Sequence, residues 1–315
     1  MYFPYIRAKQ YDLSAIAELN DTICQSEMVV PIIEPTPKTS IAPIHYKRIA
    51  DKNIPFILVV NPMVGPLKSL TAKQEIVTDL VNGVLRDYDH YYLGFIIQPG
   101  TTIQDVRNFI LRFPNHKHAF IHFSQNPDIA TLSRLIQTNP NSSFNIFIEN
   151  RVSLDYINGI SVNTVDDVLI RDGFVKQIKN EYYPSEDFFS ELHSTYEDLG
   201  YDGFGDFTII GSAFEPGGGP AYVVALHLTD INKHNAIIVK HFKSDITPPI
   251  TAANPGGKFG EALRKLNIYL RANPGLFSDG VTDYRALHRN GNYPGLGIPK
   301  KISIKHHIEI VFNQL

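Results

Sequence analysis

The feature that most narrows the fold of this chain is a recurrent apolar run that stops at a polar residue. Ile32-Ile33-Glu34-Pro35 shows it, and Val59-Val60-Asn61-Pro62, Ile96-Ile97-Gln98-Pro99 and Phe147-Ile148-Glu149-Asn150 repeat it. Runs without polar alternation suit parallel strands that lose both faces to water, one against helices and one against a barrel interior. Eight candidate strands follow at spacings of roughly 25 to 40 residues: 2–8, 28–34, 56–61, 91–98, 118–123, 144–148, 168–170 and 204–210.

Helical periodicity fills most of the gaps. Leu13, Ile16, Ala17 and Leu19 follow the first strand, 69–85 carries an apolar stripe, and Ile103, Val106, Ile110 and Phe113 follow a capping-box spacing at Thr102 and Asp105. Ile129, Leu132, Leu135 and Ile136 mark another helix. Between 151 and 163 the signal weakens and Asn158-Gly159 reads as a turn, whereas Ser185 is placed to cap a helix over 185–199. Repeated βα units of this number predict an α/β fold, a closed (β/α)8 TIM-barrel-like domain spanning 1–315.

The tail departs from that cadence. The runs 221–228 and 236–242 are joined by links too short for crossover helices, so 212–250 reads as an antiparallel β-hairpin insertion. Phe259, Ala262, Leu263, Leu266 and Leu270 resume a helix, expected to follow strand eight. The segment 273–299, rich in Gly, Pro and Asn, reads as a long loop over the barrel mouth, and 303–315 as a C-terminal helix.

Composition bounds the function classes. Charged residues make up 19% of the chain, below the roughly 25% of an average soluble protein, and hydrophobic residues 43%, so a large share is expected inside. A net charge of -3 gives no general attraction to nucleic acid or to an anionic membrane, and no apolar run is long enough to span a bilayer. Cys24 is the single cysteine, which excludes an internal disulfide and a multi-cysteine metal site. The start, Met-Tyr-Phe-Pro-Tyr-Ile-Arg-Ala-Lys, lacks an apolar signal core, so a cytoplasmic protein is expected.

In such barrels the carboxyl ends of the strands converge on one mouth, where sites are built. Arg7, Lys9, Glu34, Asn61, Gln98, His122, Ser124, Glu149, Asn150, Arg171 and Asp172 stand at those ends, although polar residues also begin loops in any barrel. Glu34 with Glu149 or Asp172 would supply acid–base chemistry, and Arg7, Lys9 and Arg171 would clamp a phosphate or carboxylate. Lys9 could alternatively form a Schiff base. Two strand-end carboxylates also suit Mg2+ with waters completing its shell, although no spacing is diagnostic of it. His306-His307 with Glu309 lacks a recognised ligand spacing, Ser212 lacks a nucleophile elbow, and Gly217 to Gly219 could present backbone N–H groups to a phosphate.

Tyr5-Ile-Arg-Ala-Lys-Gln, the helix after it, the Ile-Ile-Glu-Pro strand and Gly205-Asp206-Phe207 before a hairpin resemble the phage beta-protein-like family, and more closely its bacterial relatives encoded beside a putative nuclease. The resemblance implies a barrel and an association with phage or mobile-element conflict, with Lys9, Glu34 and Asp206 at family-pattern positions. Relatives read Arg-Gly-Lys where this chain has Arg7-Ala8-Lys9. Two readings follow. One is a barrel of a phage-associated system whose mouth takes a small anionic or phosphorylated ligand, hydrolytic towards a nucleotide-like substrate. The other is a non-catalytic subunit that binds the nuclease, with the hairpins offering an edge for β-pairing.

Overall fold

Tyr2–Ala8 forms β1, and its alternation sets the frame: Phe3 and Tyr5 point into one apolar cluster, Tyr2 and Ile6 into another. The computed structural model describes every residue except Pro37, 162–163, 215–218, 220–221 and 247–250; the expected phosphate cradle at Gly217 and Gly218 lies outside the described residues. The remaining strands are β2 (Ile32–Pro35), β3 (Phe56–Val59), β4 (Tyr91–Ile97), β5 (Lys117–His122), β6 (Ser142–Ile148), β7 (Asp166–Arg171), β8 (Glu186–Ser190), β9 (Gly203–Asp206), β10 (Ala225–Ile231) and β11 (Ile237–Lys243). Eight of them, β1 to β7 and β9, close a parallel barrel, with β1 hydrogen-bonded to both β2 and β9.

The helices are α1 (Gln10–Ala17), α2 (Asp21–Ser26), α3 (Pro43–Asp51), α4 (Leu70–Glu75), α5 (Ile103–Arg112), α6 (Ile129–Thr138), α7 (Leu154–Ile160), α8 (Leu192–Thr195), α9 (Pro255–Ala272), α10 (Asp279–Asn290) and α11 (Gly297–Phe312). The Thr102 cap is made with Asp105 as its spacing predicts. α4 continues as wider π-helical turns over Ile76–Val84. Asn158-Gly159 lies inside α7 rather than in a turn, and a Cβ on Gly159 would come within 2.7 Å of Ile129, so the missing side chain lets α7 pack on α6.

The barrel interior is filled by Phe3, Tyr5, Ile32, Ile57, Val59, Ile96, Ile121, Phe144, Ile146, Val168, Ile170 and Phe207, a packed core rather than a channel. The larger cluster lies between barrel and helices. Gly205 on β9 is forced by closure, because a Cβ there would sit 2.1 Å from the Phe3 carbonyl oxygen.

Four expectations about the second half are corrected. The 185–199 stretch is β8 followed by α8, because β8 adds to the hairpin in the order β10-β11-β8. The last barrel strand ends at Asp206, where a 3-10 turn, Thr208–Ile210, begins with Thr208 at φ 50°. The segment 273–299 is not one long loop: Ser278 caps α10 and Gly291, at φ 65°, ends it, so the Gly, Pro and Asn residues punctuate a helix. Finally, α9 packs with Val224, Leu226 and Leu228 of the small sheet in a third core, and α11 is the helix that meets β1 and α1. α11 is buried on every side between the barrel, the sheet and α10, which leaves it without the polar face that marks a surface helix in a sequence.

Candidate functional site

The cluster at the carboxyl end of β1 grows from strand register. Arg7 sits opposite Glu34 in the β1–β2 ladder, with Tyr5 one inward position below Arg7. Glu34 is fully buried, and both carboxylate oxygens are engaged: Tyr5 Oη donates to Oε2 at 2.9 Å, Arg7 Nε to the same oxygen at 3.3 Å, and the Met63 backbone N–H to Oε1 at 2.9 Å. Burial, and next the Glu34 charge, push the Tyr5 phenol pKa well above its ordinary value, so Tyr5 stays a donor. Arg7 Nη1 also donates to the Ser212 carbonyl, and the Ser212 N–H in turn bonds Asp172 at 2.9 Å. Asp172 accepts from the Phe174 N–H as well, at 3.3 Å. Glu34 directly, and Asp172 through Ser212, thus fix Arg7.

Arg7 borders a cavity of about 410 Å3. Its wall includes Lys9, Lys176 and Lys300, the rings of Tyr5, Tyr11 and Phe214, and Asp12. Lys300 Nζ lies 2.9 Å from the buried Asp12 carboxylate, and the Lys9 ammonium stands 5.9 Å from the centre of the Phe214 ring. Among the described residues of the wall, four cationic side chains face one carboxylate, with the buried Glu34 beneath. Leu296 and Gly297, where α11 begins, form another part of the wall, and a Cβ on Gly297 would strike the Tyr11 ring at 2.1 Å. No side chain caps that helix start, so its dipole adds to the positive field.

The other expected site residues do not all meet here. His122 points out of the barrel, stacked on Phe147 and hydrogen-bonded through Nδ1 to Tyr156 Oη at 2.9 Å; burial lowers its pKa to about 3. Asp206 also faces outward, accepting from Tyr2 Oη at 3.0 Å and from the Thr208 N–H at 2.7 Å, with His307 Nε2 at 3.2 Å. Both fall on the wrong side of the strand alternation for a mouth. Arg171 and Glu149 hold each other in a bidentate pair at 2.7–3.0 Å on the rim, outside the cavity. Asn61 ties the ends of β3 and β4, accepting from the Ile96 N–H at 2.7 Å and donating to its carbonyl at 2.9 Å. Asn61 and Gln98 line a separate groove of about 450 Å3 near α5.

Of the strand-end carboxylates, Glu34 and Glu149 each lie against an arginine and Asp172 accepts from two backbone N–H groups, and among the described residues no three His, Cys, Asp or Glu side chains converge as metal ligands. Asp206, His307 and the Thr229 hydroxyl, 2.8 Å from His307 Nδ1, form an acid–imidazole–hydroxyl chain, but Thr229 and His307 are fully buried and the chain fastens α11 to the barrel. Asp12, Lys176 and Lys300 are the residues that strand-end reasoning misses. Asp12 has a local signal, a carboxylate in the first turn after the first strand. Lys300 has none, since only tertiary folding brings α11 to α1.

No family model and no curated protein matches this chain. Among the described residues, no helix is long and apolar enough to cross a membrane.

Proposed function

We propose that the barrel mouth binds a small anionic ligand, a phosphorylated molecule being the best match, in the cavity beside Arg7. The observation that carries this reading is the convergence of Arg7, Lys9, Lys176 and Lys300 on one partly enclosed space of about 410 Å3, within the size range of small-molecule sites, roughly 300–1,000 Å3. Arg7 arrives already oriented, so little side-chain freedom is lost when an anion meets it. Glu34 serves as its positioning carboxylate, because it is fully buried and both of its oxygens already accept from Tyr5, Arg7 and the Met63 N–H. The resemblance at Tyr5 to Gln10 and Ile32 to Pro35 supplies the setting, a phage- or mobile-element-associated system.

Pairing of the hairpin edge with a nuclease is less well supported. Ser303 Oγ donates to the His227 carbonyl at 2.7 Å and His306 Nε2 lies 2.7 Å from the Thr229 carbonyl, so α11 already covers the outer edge of β10.

Calorimetric titration with ribose 5-phosphate tests the anion reading. Binding should weaken about tenfold in a Lys9→Gln/Lys176→Gln double variant and fall with added salt. Absence of binding at millimolar concentration, or equal binding by the variant, would sink it.

A further inference from the structure

We infer that the anion cavity continues into a second compartment that holds a flat ring with an N–H donor, so that the two together take a nucleoside monophosphate; this rests on the anion-binding reading above. The second cavity, about 230 Å3, shares Lys176, Leu296 and Lys300 with the first, so those side chains form a common wall. Beyond them the second cavity adds three rings, Phe174, Tyr183 and His227, and no further cation among the described residues. A ligand spanning both would place an anionic group by the lysines and an apolar, planar group among the rings.

A polar feature of this second compartment is His227, the end of a chain of three side chains that crosses the small sheet. His227 on β10 and His241 on β11 are direct cross-strand partners, with their Nδ1 atoms 2.7 Å apart. His241 Nε2 lies 3.1 Å from the Asp187 carboxylate on β8. A carboxylate only accepts, so His241 carries its proton on Nε2 and presents a lone pair at Nδ1. His227 must then donate from Nδ1, which leaves Nε2 as an acceptor without a hydrogen-bond partner among the described residues. Asp187 therefore sets, through two rings, the acceptor that His227 offers to the cavity. The ring stays neutral at physiological pH, since burial and then the neighbouring His241 hold its pKa down to about 3.

Phe174 and Tyr183 stand edge-on to His227, at centroid distances of 5.2 and 4.7 Å, and fix its plane. An exocyclic amino group on a heteroaromatic base has the donor that Nε2 lacks a partner for. Its ring matches the aromatic lining.

Three probes titrated into the full chain separate the parts of this inference: adenosine 5′-monophosphate, ribose 5-phosphate, and purine riboside 5′-monophosphate, which has the ring without the amino group. Adenosine 5′-monophosphate should bind at least about tenfold tighter than the other two, because a ring that displaces water from Nε2 without returning a donor leaves that acceptor unmet. His227→Phe should remove that advantage while leaving ribose 5-phosphate affinity within about twofold. Equal affinity for adenosine 5′-monophosphate and ribose 5-phosphate overturns the second compartment alone, and binding of neither overturns the anion reading with it. In the unaltered chain, adenosine 5′-monophosphate should shift the His227 ring proton signal and ribose 5-phosphate should not. An unmoved signal at saturation overturns the inference whatever the variant does.

Discussion

Two buried carboxylates flank β1, and each accepts a tyrosine hydroxyl from it, Glu34 from Tyr5 and Asp206 from Tyr2. Their surroundings differ because Tyr5 and Tyr2 project to opposite faces of the same strand. Glu34 faces the mouth, where its third partner is the Arg7 guanidinium and a cavity begins. Asp206 faces the helix layer, where its other partners are His307 and a turn N–H, and no described cavity is lined by it. A strand-end carboxylate belongs to a site or to the wall according to one residue of register. Chemical identity alone does not separate the two.

Perturbing each side should sharpen the contrast. Glu34→Gln should have the largest effect, since it leaves Arg7 beside a neutral partner in a buried setting; chemical denaturation should show a loss of about 3–5 kcal/mol together with weakened ribose 5-phosphate binding. Unchanged stability would mean that the Arg7 pair is not structural. Asp206→Asn should cost about 1–3 kcal/mol, with no change in ligand affinity measured on the folded variant. Any change in affinity there would dissolve the distinction between site and wall.

The wall side also carries a pH signature. Glu309 on α11 accepts from the Gly280 N–H at 3.0 Å through Oε2, while its buried Oε1 has no partner among the described residues; burial raises its pKa to about 7. A carboxyl raised above its unfolded value binds more protons when folded. Its contribution is therefore full below the unfolded pKa near 4.5 and is lost as pH rises through about 7. Glu309→Gln should remove this loss, so denaturation at pH 8 should show the variant more stable than the parent, and the gap should narrow towards pH 5. A constant gap would assign the effect to packing. The smallest change is expected at the rim, where the part-exposed Glu149–Arg171 pair is screened by solvent, and Glu149→Gln should cost no more than about 1 kcal/mol.

The barrel was legible because apolar runs such as Phe56 to Val59 and Ile96-Ile97 suit strands buried on both faces, and the stripes between them suit helices that cover them. Legibility failed where the partner is remote in sequence or where a cap resembles a loop. The 185–199 stretch carries apolar residues that fit a helical stripe, yet β11 recruits Glu186–Ser190 as a strand, a pairing with a segment about fifty residues away that no local window contains. The Gly- and Pro-rich 273–299 segment hid α10 for a different reason: its breakers are caps, and caps resemble loops until the helix between them is seen.

Of the site, Arg7, Lys9 and Glu34 were readable as polar residues ending inward-facing strands. His122 was placed with them because strand ends can be found from sequence more reliably than strand phase, and Asp206 because the resemblance put it at a family-pattern position. The sequence by itself determined the eightfold βα order and the charge at the first two strand ends, since both are properties of neighbouring residues. Only the tertiary structure decided which polar side chains meet. Lys300 joins Asp12, and His227 joins His241 and Asp187, through contacts between segments far apart in the chain, and the alternation of each strand sets which face its residues offer.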